Sequence, residues 1–315
     1  MSAAIQVQHL TRRFGAFVAV DDVSFEVRTG EIFGFLGSNG AGKSTTIRML
    51  CGLLRPSSGT AIVGGIDVAA DPEGVKRRIG YMSQRFSLYE LLTVDQNIRF
   101  FGGLYGLTPE RLESRRAFVI EMAGLRGREH SLARDLAGGW RQRLALGCAI
   151  LHEPAILFLD EPTGGVDPLS RRQFWHLIDT LASSGVTVLV TTHYLDEAER
   201  CHRVTLIHAG RLAAIGTTSE VKRVFAGRPI VEVRTPRATD AMRVLDETPS
   251  VEKTSLFGTA VHAVLKDSGV DIARLATQLR ARGIPVESIE PVEPSLEDVF
   301  LDVVECAEAK RSVPS

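Results

Sequence analysis

One short stretch of this chain has the residue types and spacing to bind phosphate, namely Gly37-Ser38-Asn39-Gly40-Ala41-Gly42-Lys43-Ser44-Thr45. It matches the P-loop pattern, in which glycines let successive backbone N–H groups and the N-terminus of the following helix face an anion. Lys43 adds a positive charge for the β- and γ-phosphates, and the hydroxyl of Ser44 can coordinate Mg²⁺. The stretch therefore predicts a nucleoside triphosphate bound with magnesium. The alternative is a glycine-rich turn without a ligand.

Two adjacent carboxylates, Asp160 and Glu161, follow the apolar run from Ala155 to Leu159. Such a run is typical of a buried parallel strand, and ligands of α/β proteins bind at the carboxyl edge of the sheet. We expect Asp160 to hold Mg²⁺ and Glu161 to accept a proton from a water that attacks the γ-phosphate. An isolated Asp-Glu pair can equally end a strand for structural reasons, but the upstream P-loop favours the chemical interpretation.

Two more polar residues follow strand-like segments. His193 ends the run from Val186 to Thr192, where it can hydrogen-bond the γ-phosphate. Gln84 stands where the first α/β portion gives way to helical residues, and we expect it to contact Mg²⁺ or the attacking water. Taken alone, a histidine at a strand end is more often a surface residue, and a single glutamine has little specificity.

The elements that must position these residues can be predicted from periodicity. Residues 32–36 predict the buried strand before the P-loop, and alternation over residues 23–27 predicts an antiparallel β portion ahead of it. Helical periodicity dominates from about 85 to 146, and the α/β pattern returns from Ala155 onward. The prediction for residues 1–228 is an α/β P-loop NTPase core with an antiparallel β subdomain and a helical subdomain.

The composition shifts at a predicted linker, residues 226–229. Beyond it, residues 229–315 predict a small α+β domain with strands at 230–234, 260–265 and 286–289. Its last helix is predicted to open at Ser295, with Asp298 completing the cap three residues later. Nothing in this region has catalytic spacing, so packing, dimerisation or regulation is its expected role.

Charge and composition argue against several classes of protein. The 37 basic and 38 acidic residues give a formal charge of -1, so we expect no nucleic-acid partner. The apolar runs are strand-sized, well below the roughly 20 residues that span a bilayer. The N-terminus lacks the apolar core of a secretory signal, which predicts a cytoplasmic polypeptide. The four cysteines have no CxxC spacing and are predicted to be small buried thiols.

Taken in order, these motifs resemble those of ABC ATPases over about residues 5 to 222. The resemblance rests on the P-loop, Gln84, residues 136–143, the Asp160-Glu161 pair, Gly165-Val166-Asp167 and His193. It implies ATP as the nucleotide and two subunits that sandwich two ATP molecules head to tail. A homodimer is expected, with a heterodimer as the alternative. The resemblance also makes Asp167 the D-loop residue and Phe14 the aromatic that stacks on adenine, although Phe14 can equally be an ordinary core aromatic.

By the same resemblance, Ala137, Gly138 and Gly139 belong to the signature that acts in trans on the partner's nucleotide. The family's usual sequence is Leu-Ser-Gly-Gly-Gln, so Ala137 replaces the serine and Trp140 replaces the glutamine. Ala137 cannot donate a hydroxyl, and one lost hydrogen bond to a charged group costs about 1.5–3 kcal/mol. We therefore expect weakened closure. The alternative is a degenerate half-site that pairs with a different subunit.

Three stretches narrow the resemblance to bacterial drug-resistance and ABC-2-type exporters, namely residues 81–98, 196–200 and 294–301. In such systems the segment after Gln84 receives a coupling helix from a separate transmembrane permease. This implies a peripheral protein on the cytoplasmic face of the cell membrane, which powers multidrug or lipid/polysaccharide efflux. The alternatives are a soluble mechanochemical ABC ATPase acting on ribosomes, nucleic acid or protein complexes, and a regulatory protein that binds nucleotide without efficient turnover.

Overall fold

A computed structural model of the chain describes residues 3–84 and 88–311, without the side chains of 307–311. The segment after Gln84, which is predicted to receive a coupling helix, begins with residues 85–87, and these lie outside the described residues. Contacts divide the chain into two units, Met1–Thr217 and Thr218–Ser315. The sequence placed this boundary at 228, where glycine and proline punctuate the chain. By contacts the helix Thr218–Lys222 goes with the second unit, because it packs against the last helix of that unit.

The first unit alternates strands and helices, as the sequence predicts. In chain order its elements are β1 (Ala3–Phe14), β2 (Phe17–Arg28), β3 (Ile32–Leu36), α1 (Lys43–Leu50), β4 (Ser58–Val63), β5 (Ile66–Asp67), α2 (Pro72–Arg78), β6 (Ile79–Met82), α3 (Val94–Leu104), α4 (Pro109–Met122), α5 (Gly138–Ala149), β7 (Ile156–Asp160), α6 (Pro168–Ser183), β8 (Thr187–Thr192), α7 (Leu195–Ala198), β9 (Arg203–His208) and β10 (Arg211–Gly216).

The central sheet has six strands in the order β10-β9-β3-β8-β7-β6, and only β10 runs antiparallel to its neighbour. Every residue of β3, β7 and β8 is buried, which explains why these strands are continuous apolar runs. In their register Leu36 pairs with Thr192, and Asp160 pairs with Thr191. The segments that follow β3, β7 and β8 therefore begin side by side at one edge of the sheet.

A second sheet, in the order β2-β1-β4-β5, is antiparallel. Val23, Phe25 and Val27 of β2 are buried while the intervening residues are exposed, as the alternation predicts. Phe25 stacks on Phe33 of β3 with ring centroids 5.6 Å apart. This shared apolar core also includes Ile47 of α1, so it anchors the helix that follows the P-loop.

Helices α3, α4 and α5 form a helical subdomain with an apolar cluster of its own. Thr93 and Gln96 form a reciprocal capping box at the start of α3, and Thr108 caps α4. These caps satisfy backbone N–H groups that the helices leave unpaired at their N-termini. Helix α5, whose N-terminus carries the predicted signature, packs in the same apolar cluster.

The second unit is an α+β domain with an antiparallel sheet in the order β12-β13-β11-β14. Its elements are α8 (Thr218–Lys222), β11 (Ile230–Arg234), α9 (Ala238–Asp246), β12 (Val251–Phe257), β13 (Ala260–Leu265), α10 (Ile272–Ala281), β14 (Ser288–Val292) and α11 (Leu296–Arg311). Sequence analysis missed α9 and β12, and placed β14 two residues early. β14 starts at Ser288 because that residue pairs with Arg234, the last residue of β11.

Across the described residues, none of the helices combines the length and the apolar character needed to cross a bilayer. Cys51, Cys148 and Cys201 are buried, as predicted, and burial raises the pKa of each of these thiols. Cys306 is exposed, so the prediction was wrong for this residue. It lies on α11 four residues after Asp302, which is buried.

A buried ion pair ties α11 to the sheet of the second unit. His262 of β13 is 4% exposed, and its Nδ1 lies 2.8 Å from Asp298 Oδ1. Glu232 approaches the other ring nitrogen at 3.6 Å, and Phe257 stacks on the ring at a centroid distance of 4.2 Å. Burial lowers the pKa of His262, but the two carboxylates outweigh it and the net pKa is raised. The pKa of Asp298 is lowered, because hydrogen bonds from His262 and Ser295 outweigh its burial.

These shifts predict that the unfolding free energy of the second unit depends on pH. Because the folded pKa of His262 is raised, its contribution is fully present below the unfolded value of about 6.5 and is lost as pH rises through the folded value. Each unit of raised pKa corresponds to about 1.4 kcal/mol. Denaturant unfolding of the full chain at a series of pH values between about 5 and 9 measures the effect.

His262→Gln is expected to flatten this alkaline loss of stability. Thr254→Val, which removes a hydroxyl bonded to Asp246 in the same unit, serves as a control and should leave the pH dependence unchanged. An unchanged alkaline loss in His262→Gln would assign the effect to another group.

Candidate nucleotide-binding site

The P-loop joins β3 to α1, and two of its glycines, Gly37 and Gly42, are required by close backbone approaches. A Cβ at Gly37 would lie 2.3 Å from the carbonyl oxygen of Ile207, so no larger residue fits. Gly42, which immediately precedes α1, has φ +109°, and a Cβ there would meet the carbonyl oxygen of Ala19 at 2.6 Å. Lys43 is 4% exposed, and its ammonium donates to the Gly37 carbonyl at 2.7 Å. The loop therefore curls around the lysine.

Asp160, the last residue of β7, lies directly beside the P-loop helix. Its Oδ1 accepts a hydrogen bond from Ser44 Oγ at 2.9 Å and another from Thr191 Oγ1 at 2.7 Å. Burial raises the pKa of Asp160, partly offset by these two hydrogen bonds and by the charge of Lys43, while the neighbouring Glu161 adds to the rise. A hydroxyl and a carboxylate oxygen thus converge, and both are ligands that Mg²⁺ prefers.

Glu161 has an unusual backbone conformation, with φ +48°. Left-handed conformations cost non-glycine residues of order 1–3 kcal/mol and persist where the surroundings enforce them. Here the Glu161 N–H donates to Thr191 Oγ1 at 2.9 Å and to the Thr191 carbonyl at 3.1 Å. Thr191 therefore holds both residues, since it donates its hydroxyl proton to the Asp160 carboxylate and accepts the backbone N–H of Glu161. The sequence analysis missed this role, because a threonine inside a strand has no distinguishing pattern.

Three polar side chains contact the Glu161 carboxylate. Lys43 Nζ lies 3.1 Å from Oε1, Gln84 Nε2 donates to Oε2 at 3.0 Å, and His193 Nδ1 lies 3.4 Å from Oε2. Glu161 itself is 8% exposed, so these contacts operate where water screens charge weakly. The structure thus brings together residues from four segments that the sequence analysis singled out separately.

A cavity of about 350 Å³ opens beside this cluster. Its lining comes from the P-loop, the β1–β2 hairpin and the carboxylate segment: Phe17, Ala19, Asn39, Gly40, Gly42, Lys43, Ser44, Thr45, Gln84 and Glu161. Phe17 is 64% exposed, and Phe14 pairs with it across the hairpin turn with 47% of its surface exposed. Sequence analysis singled out Phe14 and missed Phe17, although both offer an aromatic ring on the same hairpin.

The predicted signature lies at the N-terminus of α5. Ala137 occupies the N-cap position without a side-chain hydrogen bond, and Gly138 faces open space. A Cβ at Gly139 would lie 2.3 Å from Ser170 Oγ, which explains the second glycine. Asp167 caps α6 by accepting from Ser170 N at 2.9 Å. In the described part of the chain, none of the signature residues is among the side chains that contact Glu161.

One contact nevertheless links the signature helix to the carboxylate segment. Gln142 is fully buried, and its Nε2 donates to the carbonyl of Pro162, the residue after Glu161, at 2.5 Å. Trp140 packs on the helical subdomain with the Arg128 guanidinium 4.0 Å from its ring. This contact of Gln142 was not predicted, because a glutamine within a helix normally indicates a solvent-exposed position.

The site combines a P-loop and its lysine, a serine hydroxyl beside an aspartate, and a second carboxylate at the same sheet edge. This combination defines the class of P-loop nucleotide-binding proteins. Two family models match the chain. Residues 20–164 match the ABC transporter model, and residues 216–304 match the C-terminal domain of DrrA1-3-like ATP-binding proteins.

Similar proteins support both matches over most of the chain. The probable multidrug ABC transporter ATP-binding protein YbhF of Escherichia coli K12 is 51% identical over 218 residues, which are 69% of this chain but 38% of YbhF. The daunorubicin/doxorubicin resistance ATP-binding protein DrrA of Streptomyces peucetius is 39% identical over 95% of this chain and 91% of DrrA. A dimeric post-hydrolysis structure of the ATP-binding cassette MJ0796 with ADP and Pi has a TM-score of 0.62 and 25% identity, and covers 68% of this chain and 98% of that one.

The chain belongs to the family of ABC transporter ATP-binding proteins. Proteins of this family bind ATP, and the predictions of the family and of its α/β P-loop fold are confirmed. Nothing in these similarities favours the soluble mechanochemical alternative.

Proposed function

We propose that this protein binds and hydrolyses ATP to power an exporter through a separate transmembrane permease. The observation that carries the proposal is the convergence of Lys43, Gln84 and His193 on the Glu161 carboxylate, within 3.0 to 3.4 Å. Relatives named for multidrug transport and daunorubicin resistance support export as the purpose. Multidrug or lipid/polysaccharide efflux is the proposed range of substrates.

In the proposed reaction, a water oxygen forms a bond to the γ-phosphorus of ATP. The bond from that phosphorus to the β–γ bridging oxygen breaks, and its electron pair leaves with ADP. Glu161 accepts the proton released by the water, while Lys43 and the P-loop N–H groups hold the β- and γ-phosphates. His193 is assigned to the γ-phosphate and Gln84 to the attacking water. Phe14 and Phe17 are available to stack on adenine.

Mg²⁺ fits the residues beside the phosphates. Ser44 Oγ and Asp160 Oδ1 lie 2.9 Å apart, and Gln84 lines the same cavity as Ser44. The searched residues include no group of three His, Cys, Asp or Glu side chains that could hold a metal. Magnesium is usually held by one or two protein oxygens plus phosphates, so the smaller donor set suits it. When bound, it would neutralise negative charge on the β- and γ-phosphates.

Two subunits are proposed to act together, with Ala137, Gly138 and Gly139 of one facing the nucleotide of the other and Asp167 near the interface. The N-terminus of α5 has no side-chain cap, which suits an anion supplied from outside this chain. A homodimer is proposed, with a heterodimer as the alternative. The permease contact would hold the protein at the cytoplasmic face of the membrane. Residues 1–228 are proposed to form the ATPase domain, and residues 229–315 an accessory α+β domain.

Affinity purification of the tagged protein from detergent-solubilised membranes of its native host tests this function. A stoichiometric polytopic membrane protein and Mg²⁺-dependent phosphate release from ATP are the expected results. A purely soluble complex with ribosomes or nucleic acid would favour the mechanochemical alternative. Nucleotide binding without phosphate release in the assembled complex would favour regulation.

Ala137→Ser is expected to tighten ATP-driven dimerisation by at most about 100-fold, because a restored hydroxyl adds one charge-assisted hydrogen bond of about 1.5–3 kcal/mol. Light scattering at increasing protein concentration, with ATP and the Glu161→Gln background, measures the change. Serine at an N-cap also stabilises a helix by about 1 kcal/mol, so unfolding without ATP is measured in parallel. An unchanged dimerisation constant would mean that the backbone N–H groups suffice.

A further inference from the structure

Glu197, in the short helix α7, is a buried acidic residue for which the sequence predicts no role of its own. It is 2% exposed. Its Oε1 accepts a hydrogen bond from Thr163 Oγ1 at 2.5 Å, and its Oε2 accepts one from Thr192 Oγ1 at 2.7 Å. Burying a carboxylate is costly unless its oxygens are hydrogen-bonded, so these contacts are required for this arrangement.

The two threonines belong to the segments that carry two of the proposed site residues. Thr163 follows Glu161 by two residues, and Thr192 ends β8 directly before His193. Both threonine side chains are 1% exposed. The Glu197 carboxylate therefore connects the segment of Glu161 to the segment of His193 through two buried hydroxyls.

Arg171, in the first turn of α6, supplies the opposite charge. Its Nε lies 3.5 Å from Glu197 Oε1, and its guanidinium carbon lies 4.0 Å from the centre of the Tyr194 ring. The Tyr194 ring lies 4.1 Å from that of His193, and the Tyr194 N–H donates to Thr192 Oγ1 at 2.9 Å. The cluster thus contacts His193 both through a neighbouring ring and through the adjoining backbone.

We infer that Glu197 is a positioning residue, which holds His193 beside Glu161 during ATP hydrolysis. It does so through the hydroxyls of Thr163 and Thr192, and has no assigned contact with nucleotide. The inference rests on the proposed function. His193 Nδ1 lies 3.4 Å from Glu161 Oε2, and a backbone shift at Thr192 changes that separation directly. A displacement of about 1 Å in a reacting site can cost roughly 100-fold in rate.

Glu197→Gln tests the inference by steady-state ATP hydrolysis. An amide keeps the shape but presents an NH₂ group where one threonine donates, and it removes the charge opposite Arg171. We expect kcat to fall about 10- to 100-fold, while KM for ATP changes by no more than about two-fold. Asp196→Asn is the matched control, since this neighbouring carboxylate is 72% exposed and approaches Arg171 only at 3.8 Å. It should keep the wild-type kcat.

A double-mutant cycle separates positioning from general damage. If Glu197 acts through His193, Glu197→Gln should change the single-turnover rate of a His193→Ala variant by less than about two-fold. The inference would be overturned if Glu197→Gln lowered the single-turnover rate of His193→Ala by the same factor as it lowers that of wild type. A Glu197→Gln variant with wild-type kcat would also overturn it. Thr192→Val removes one hydroxyl at nearly constant volume, so it provides the same test if Glu197→Gln fails to fold.

The wild-type protein distinguishes the two proposals. Absence of ATP hydrolysis by the wild-type complex would overturn the proposed function, and the inference with it. Normal wild-type hydrolysis with an unaffected Glu197→Gln variant would overturn the positioning role alone.

Discussion

Glu161→Gln is expected to lower ATP turnover about 100- to 10,000-fold while ATP still binds, because it removes a general base but keeps the shape of the side chain. The glutamine can still receive the hydrogen bond that Gln84 donates, at 3.0 Å in the present arrangement. The variant also removes the negative charge that faces Lys43 at 3.1 Å, which leaves the ammonium free for phosphate. We therefore expect ATP affinity to be maintained or tightened.

Phosphate release and dimer formation are the two measurements for this variant. With ATP bound and turnover slowed, the Glu161→Gln protein should accumulate as a dimer by size-exclusion chromatography, whereas wild type should not. Glu121→Gln is the control, because this carboxylate lies on the surface of α4 with 62% of its side chain exposed. Unchanged turnover in Glu161→Gln would remove Glu161 from the role of base.

Lys43→Met is expected to weaken ATP binding by about 10- to 100-fold, since a hydrogen bond to a charged group contributes about 1.5–3 kcal/mol. Methionine retains most of the apolar stem of Lys43, whose side chain is buried. Titration with a fluorescent ATP analogue measures the affinity. Affinity within about two-fold of wild type would show that the P-loop N–H groups bind the phosphates without Lys43.

The same substitution is expected to lower the unfolding free energy of the first unit by about 3–5 kcal/mol, because it leaves a buried carboxylate without its cation. The double variant Lys43→Met/Glu161→Gln should recover much of this stability, because both charges are then gone, but it should not recover ATP affinity. Denaturant unfolding without nucleotide measures stability. Equal losses in the single and double variants would mean that the Lys43–Glu161 pair contributes little to folding.

Much of the candidate site could be predicted because its parts are local. The P-loop needs a strand, glycines and a helix N-terminus within a dozen residues, and all three have sequence patterns of their own. The strand before Asp160 is likewise a short apolar run, because both faces of the central sheet are covered. Even the cap of α11 was predicted, and Ser295 and Asp298 do exchange hydrogen bonds.

The contacts that organise the site are not local, and for this reason sequence patterns did not predict them. Gln84 and Glu161 are 77 residues apart, and Thr163 and Glu197 are 34 apart. Such pairs meet only because parallel strands bring distant segments to one edge of the sheet. The edge strand β12 was missed for a related reason, since its polar residues become a strand by pairing with β13.

The sequence by itself determined that this protein has a P-loop sequence, two carboxylates after a buried strand, and the motif order of its family. These properties follow from residue types at short spacing, which act through local backbone geometry. Only the tertiary structure decided that Thr191 bonds the Asp160 carboxylate and the Glu161 backbone, and that Glu197 is buried between Thr163 and Thr192. The physical reason is that burial and hydrogen bonding between distant segments arise from packing, which no local pattern records.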